Sequence, residues 1–132
     1  MNDTRPHVLV VDDEEDFCEL MALRLEHHGF RVTARHTLHG GLDVLQRERV
    51  DSLVLDLRLD NEDGLELFGE VKRRGLQLPV IILTADGAGA APLAGLGHGD
   101  ALMPKPFDTR ALVQWLSHAV ERHRAPEAAE EP

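Results

Sequence analysis

Short apolar runs alternate with segments of helical period along almost the whole chain, and that alternation restricts it to βα units wrapped around a parallel sheet. Strands are predicted at His7 to Val11, Arg31 to Ala34, Ser52 to Leu57, Pro79 to Leu83 and Ala101 to Met103. The central runs are almost wholly apolar, as strands covered by helices on both faces must be. Five such units fit in 132 residues, the size of one domain with its own core.

Between the runs the apolar spacing is helical. Phe17, Leu20, Met21 and Leu25 mark a first helix that Gly29 stops in a left-handed conformation, and Leu38, Leu42 and Leu45 mark a second despite Gly40 and Gly41 near its start. Leu65, Phe68 and Val71 mark a third, stopped by Gly75. Leu112, Trp115, Leu116, Ala119 and Val120 form the last and clearest stripe, entered through Asp108 or Thr109 as cap. The exception is residues 85–100, "ADGAGAAPLAGLGHGD", with five glycines and a proline. An interior Gly costs a helix about 1 kcal/mol and Pro about 3, so a short, frayed or mobile helix is expected there. Residues 124–132, "RAPEAAEEP", have linker composition with no apolar face to bury, which sets the domain at 1–123 followed by a tail.

A formal charge of −10 repels phosphate backbones and anionic lipid, so neither nucleic acid nor membrane is expected as a direct partner. The single cysteine, Cys18, has no partner in the chain for a disulfide, and "MNDTRPHVLVVDD" lacks the basic start and long apolar run of a signal peptide. No run has the length needed to span a bilayer, and a cytoplasmic location is the expectation.

The acidic stretch "VLDLRLDNEDGLEL", residues 54–67, raises the question of chemistry. A calcium loop begun at Asp56 has Arg58 third, Asn61 sixth and Leu67 twelfth, and fails; the paired acids of haloacid dehalogenase phosphatases fail because Arg58 takes the second acid's place. Asp56 stands apart because it ends the apolar run "SLVLD" at the carboxyl edge of the sheet, where open α/β sheets bind ligands. A carboxylate leaving such a strand needs a partner or a metal.

The same edge of the first strand supplies Asp12 and Asp13 from "VLVVDDEED". Three carboxylates raise one another's pKa unless a divalent cation neutralises them, and a few all-oxygen ligands with room for water suit Mg²⁺ better than Zn²⁺. Thr84 in "VIILTAD" and Lys105 in "MPKPFD" add a hydroxyl and an ammonium from the fourth and fifth strands. Carboxylate, metal, hydroxyl and lysine together suit phosphoryl transfer, which depends on positioning and charge neutralisation.

"VLVVDDEED", "LVLDLRLDNEDGLEL", "PVIILTA" and "PKPFD", in that order at strand ends, resemble the receiver domain of two-component response regulators over about residues 6–123. The resemblance implies a flavodoxin-like (βα)5 doubly wound sheet of strand order 2-1-3-4-5. It implies Asp56 as phosphoacceptor from a sensor histidine kinase, with Mg²⁺ held by Asp13, Asp56 and the backbone carbonyl of Arg58, and by Asp12 mainly through water. Lys105 would hold one phosphoryl oxygen and Thr84 another. Such a domain is a signalling switch that catalyses its own phosphorylation and dephosphorylation with no external turnover. Its partners would be the kinase, an effector or output domain, and a second copy through the 86–110 face.

"DLRLDNEDGLELF" and "LPVIILTADG" resemble receivers of NtrC-type transcriptional activators. A stand-alone receiver, the regulatory piece of a larger transcriptional activator, and a receiver that keeps the fold without the chemistry are therefore the readings to separate. Flavodoxin-like redox chemistry lacks an aromatic-rich cofactor loop. Two departures from the family pattern bear on switching: Leu102 stands where relatives carry Tyr or Phe, and Asp60 where many carry proline. Arg58 and Asp86 stand two residues beyond Asp56 and Thr84, where they could pair across the mouth of the site. Asp60, Glu62, Asp63 and Glu66 read as loop and helix-start charge, favourable by about 0.3–1 kcal/mol each at a first turn. His27 and His28 read as solvated, Cys18 as an ordinary thiol, and Trp115 as core or a hinge toward a partner surface.

Overall fold

The computed structural model describes residues 4–59, 62–84, 100–104 and 108–124. Among the described residues, seven strands and four helices follow one another as β1 (His7–Val11), α1 (Glu15–His27), β2 (Arg31–Arg35), α2 (Leu38–Arg47), β3 (Ser52–Asp56), β4 (Arg58–Leu59), β5 (Glu62–Asp63), α3 (Gly64–Arg73), β6 (Val80–Thr84), β7 (Ala101–Pro104) and α4 (Thr109–Arg124). Five strands pair in parallel in the order β2-β1-β3-β6-β7, the order the family resemblance implied. The chain moves to one side of β1 for β2 and to the other for β3, so strand order reverses beside β1 and the crevice opens between β1 and β3.

The apolar runs are strands because both faces are covered. Leu9, Val11, Leu53, Leu55, Val80 and Ile82 point into one core with Val44 of α2 and Leu67, Phe68 and Val71 of α3. Val8, Val10, Val54, Ile81 and Leu83 point into the other with Cys18, Met21 and Leu25 of α1 and Leu112, Leu116 and Val120 of α4. Trp115 is half-buried against this second core, and Leu102 packs half-buried against the first.

Strand limits move by a residue for local reasons. β6 begins at Val80 rather than Pro79, whose ring nitrogen has no hydrogen for a ladder. The Pro79 carbonyl still accepts from the Leu53 amide at 3.0 Å and the Ser52 hydroxyl at 2.9 Å. Gly29 (φ 95°) and Gly75 (φ 67°) lie just beyond α1 and α3 in the left-handed region, as expected. Of the two candidate caps for α4, Asp108 is used: its carboxylate accepts the Arg110 N–H at 2.9 Å. Thr109 instead accepts from Arg24 of α1 at 2.6 Å. The helix runs to Arg124, and the tail beyond it lies outside the described residues, as does the Gly-rich segment 85–99.

At the amino edge of the sheet a polar clamp joins three strands. His7, 1% exposed, exchanges backbone contacts with Asp51: its N–H donates to the Asp51 carboxylate at 2.8 Å and its carbonyl accepts the Asp51 N–H at 2.8 Å. The His7 ring meets the Arg49 carbonyl at 2.8 Å and the Thr33 hydroxyl at 2.7 Å. A carbonyl only accepts, so Nδ1 carries a proton, while the Thr33 hydroxyl, which can donate or accept, meets Nε2. That edge is fixed, and the chemistry-bearing side chains gather at the other.

Candidate metal and phosphoacceptor site

Asp12 follows β1 and Asp56 ends β3, and the parallel pairing of Val11 with Leu55 brings both to the same edge. Carboxylate oxygens of Asp12, Asp13 and Asp56 all lie within 4.8 Å of one another. Asp12 is fully buried, Asp56 is 5% exposed and Asp13 is half-buried at the mouth. Hard oxygen donors of this number and spacing fit a small hard divalent cation such as Mg²⁺.

Each acid is aimed by its own backbone setting. One Asp12 carboxylate oxygen accepts the Glu14 N–H at 2.9 Å, a local turn that leads the chain from β1 into α1. The Asp12 N–H donates to the Arg35 carbonyl at 3.1 Å, so the residue is still tied to the end of β2. Glu15 and Asp16 then occupy the first turn of α1, where acids are favourable. Asp56 is set opposite Leu83 of β6, and the Leu57 N–H donates to the Leu83 carbonyl at 3.2 Å.

Gly64 gives this corner its shape. A Cβ there would stand 2.3 Å from the Asp56 carbonyl oxygen and 3.0 Å from Leu57 Cα, so only glycine lets α3 start against the end of β3. Its own N–H donates to the Leu57 carbonyl at 2.9 Å, and Asp63 caps α3 by accepting the Leu65 N–H at 2.9 Å. Between them the sequence suggested only loop; the structure pairs Arg58 with Asp63 and Leu59 with Glu62 in a two-rung antiparallel hairpin. Asp63 is thus a cap and Glu66 an exposed residue in the first turn, and Asp60 lies outside the described residues.

Register pairs Thr84 with Pro104, which places the backbone of Thr84 and the residue preceding Lys105 at the edge that carries Asp56. The Thr84 hydroxyl, Lys105, Asp86 and the Arg58 side chain lie outside the described residues. Arg58 itself is the first residue of β4, two places beyond Asp56. His27 and His28 are exposed, and Cys18 is buried.

Two residues at the edge of the site went unrecognised in the sequence. The Cys18 thiol donates to the Asp12 carbonyl at 3.3 Å, and His36 Nδ1 donates to the same oxygen at 3.0 Å. Nothing in the local pattern signals this, because α1 and the end of β2 meet only in the fold.

Comparison with known proteins agrees with this geometry. The chain is 39% identical over 117 residues to the transcriptional regulatory protein GlrR of Escherichia coli, an alignment covering 88% of this chain and 26% of that protein. It is 34% identical over 124 residues to the response regulator MprA of Mycobacterium tuberculosis, covering 93% of this chain and 54% of the relative. The chain therefore spans between about a quarter and about half of these relatives' length. The receiver domain of the Francisella response regulator 1452 superposes with a TM-score of 0.82 at 25% identity, over 90% of this chain and 99% of that one. Residues 8–117 match the family described as the response regulator receiver domain, and the chain belongs to that family.

Proposed function

We propose that Asp56 is the phosphoacceptor of this receiver domain, and that the convergence of its carboxylate with those of Asp12 and Asp13 within 4.8 Å is the observation that carries the reading. One Asp56 carboxylate oxygen attacks the phosphorus of a histidine kinase's phosphohistidine. The P–N bond breaks, its electron pair returns to the imidazole, and an acyl phosphate forms on Asp56.

Mg²⁺ bound at this edge supplies positive charge against the acid cluster and the phosphoryl oxygens. In this reading Asp13, Asp56 and the Arg58 carbonyl would hold the ion directly and Asp12 would act through water. Asp12 is suited to that outer role because the Glu14 N–H already engages its carboxylate. In this reading Lys105 would hold one phosphoryl oxygen and Thr84 a second, which the register that brings 84 and 104 to the edge beside Asp56 supports. Burial of Asp56 limits attack by water on the acyl phosphate.

Receiver domains of response regulators work with histidine kinases and output domains, and the relatives with transcriptional regulation in their names are longer than this chain. The same reading therefore makes residues 1–123 the regulatory domain of a cytoplasmic transcriptional regulator. The output is switched through a partner-binding surface that includes the 86–110 face. Size-exclusion chromatography with and without beryllofluoride tests whether two copies pair there.

The direct test of the metal-assisted reading is labelling by acetyl phosphate before and after removal of divalent ions with EDTA. Labelling should disappear with the metal and return with added Mg²⁺. Undiminished labelling in EDTA would contradict it.

A further inference from the structure

Asp12 leaves the β1 ladder with its main chain held from both sides. Its N–H donates to the Arg35 carbonyl at 3.1 Å, and its carbonyl oxygen receives two side-chain donors, Cys18 Sγ at 3.3 Å and His36 Nδ1 at 3.0 Å. The two donor atoms are 3.7 Å apart. This carbonyl belongs to the peptide that joins Asp12 to Asp13, so its direction sets where both carboxylates project. We infer that Cys18 and His36 are positioning residues for the Asp12–Asp13 pair, fixing that peptide so that the metal-binding edge is preformed.

Packing alone accounts for Cys18, which is 1% exposed among Met21, Leu25 and the β1 side chains. It does not account for His36. That residue is exposed at the end of β2, and its ring turns back to the oxygen the thiol also reaches. A carbonyl has two lone pairs and no proton, so both side chains act as donors: Cys18 as the thiol, His36 with hydrogen on Nδ1. Groups that orient metal ligands in this manner commonly matter to metal affinity about as much as a weak ligand does.

This inference rests on the proposed metal-assisted phosphoacceptor role, and its test separates the two. Mg²⁺ affinity is measured by calorimetry, and by displacement of Mn²⁺ followed by electron paramagnetic resonance, for wild type, His36→Ala, His36→Asn, Cys18→Ala and the Cys18→Ala/His36→Ala double variant. Mg²⁺ half-saturation of acetyl phosphate labelling is compared with the rate at saturating Mg²⁺, and melting temperature in EDTA controls for folding. The double variant is expected to weaken Mg²⁺ binding about tenfold, at the low end for such partners because the His36 ring is exposed. Its labelling rate at saturating Mg²⁺ should stay near wild type, and His36→Asn, whose amide N–H can reach the same oxygen, should recover most of the affinity lost in His36→Ala.

A loss of melting temperature with unchanged Mg²⁺ affinity would reduce the pair to structural residues and overturn the inference. So would wild-type Mg²⁺ affinity in every variant. If wild type itself neither bound Mg²⁺ nor took label, the phosphoacceptor reading would fall, and this inference with it.

Discussion

Asp12, Asp13 and Asp56 bring three carboxylates within 4.8 Å of one another, and like charges that close repel. For two full charges at the outer limit of 4.8 Å and an effective dielectric near 20, the pairwise repulsion is about 3.5 kcal/mol. Asp13→Asn should therefore unfold at higher urea than wild type in EDTA, and lose that advantage in Mg²⁺. Equal stabilities in EDTA would show that the three acids do not feel one another. Gly64→Ala works in the other direction. Its methyl would fall 2.3 Å from the Asp56 carbonyl oxygen, so α3 must shift; a loss of about 1–3 kcal/mol in urea unfolding and slower labelling are expected. Asp56 was legible in the sequence because a carboxylate closing an apolar run is chemically conspicuous. His36 was not, because its role depends on the end of β2 lying beside the β1–α1 turn. Gly64 lies within the acidic motif of residues 54–67, but the backbone approach that demands glycine exists only in three dimensions.

The elements themselves follow from apolar period wherever burial is strong. β1, β3 and β6 were readable because neighbouring side chains enter opposite cores, and α1, α3 and α4 because one stripe of each is buried. The β4–β5 hairpin was not, since "RLDNED" has no alternating pattern and its two rungs arise from the chain folding back after β3. At this scale the start of α3 is set by Asp63, and Asp63→Ala should cost about 0.5–2 kcal/mol through the lost cap on Leu65 N–H, measured by thermal or urea unfolding. Its other end is drawn together by Glu70. Ion-paired hydrogen bonds from Arg74, and then Arg73, hold the Glu70 carboxyl below its ordinary pKa of 4.5. A depressed carboxyl pKa adds stability that is present above the ordinary value and fades as pH falls through the folded one. Carboxyl NMR titration should show Glu70 titrating low, and Arg74→Ala should return it toward 4.5; an unmoved titration would remove Arg74 as the cause.

For the molecule as a whole, the sheet keeps structure and chemistry at opposite edges. The His7–Asp51–Thr33 clamp ties β1, β2 and β3 at the amino edge, while the reversal of strand order opens the carboxyl edge where the acids meet. A chain of formal charge −10 that also concentrates three carboxylates at one point should gain stability from any cation that binds only the folded state. Melting temperature should accordingly rise with Mg²⁺ and fall back on EDTA, and the rise should be lost in Asp13→Asn. The central claim, that Asp56 carries the phosphoryl group, is tested most directly by intact-mass and peptide-level mass spectrometry after acetyl phosphate and Mg²⁺. Wild type should gain one phosphoryl group on the peptide containing Asp56 and Asp56→Asn should gain none, whereas equal labelling of the variant would contradict the assignment.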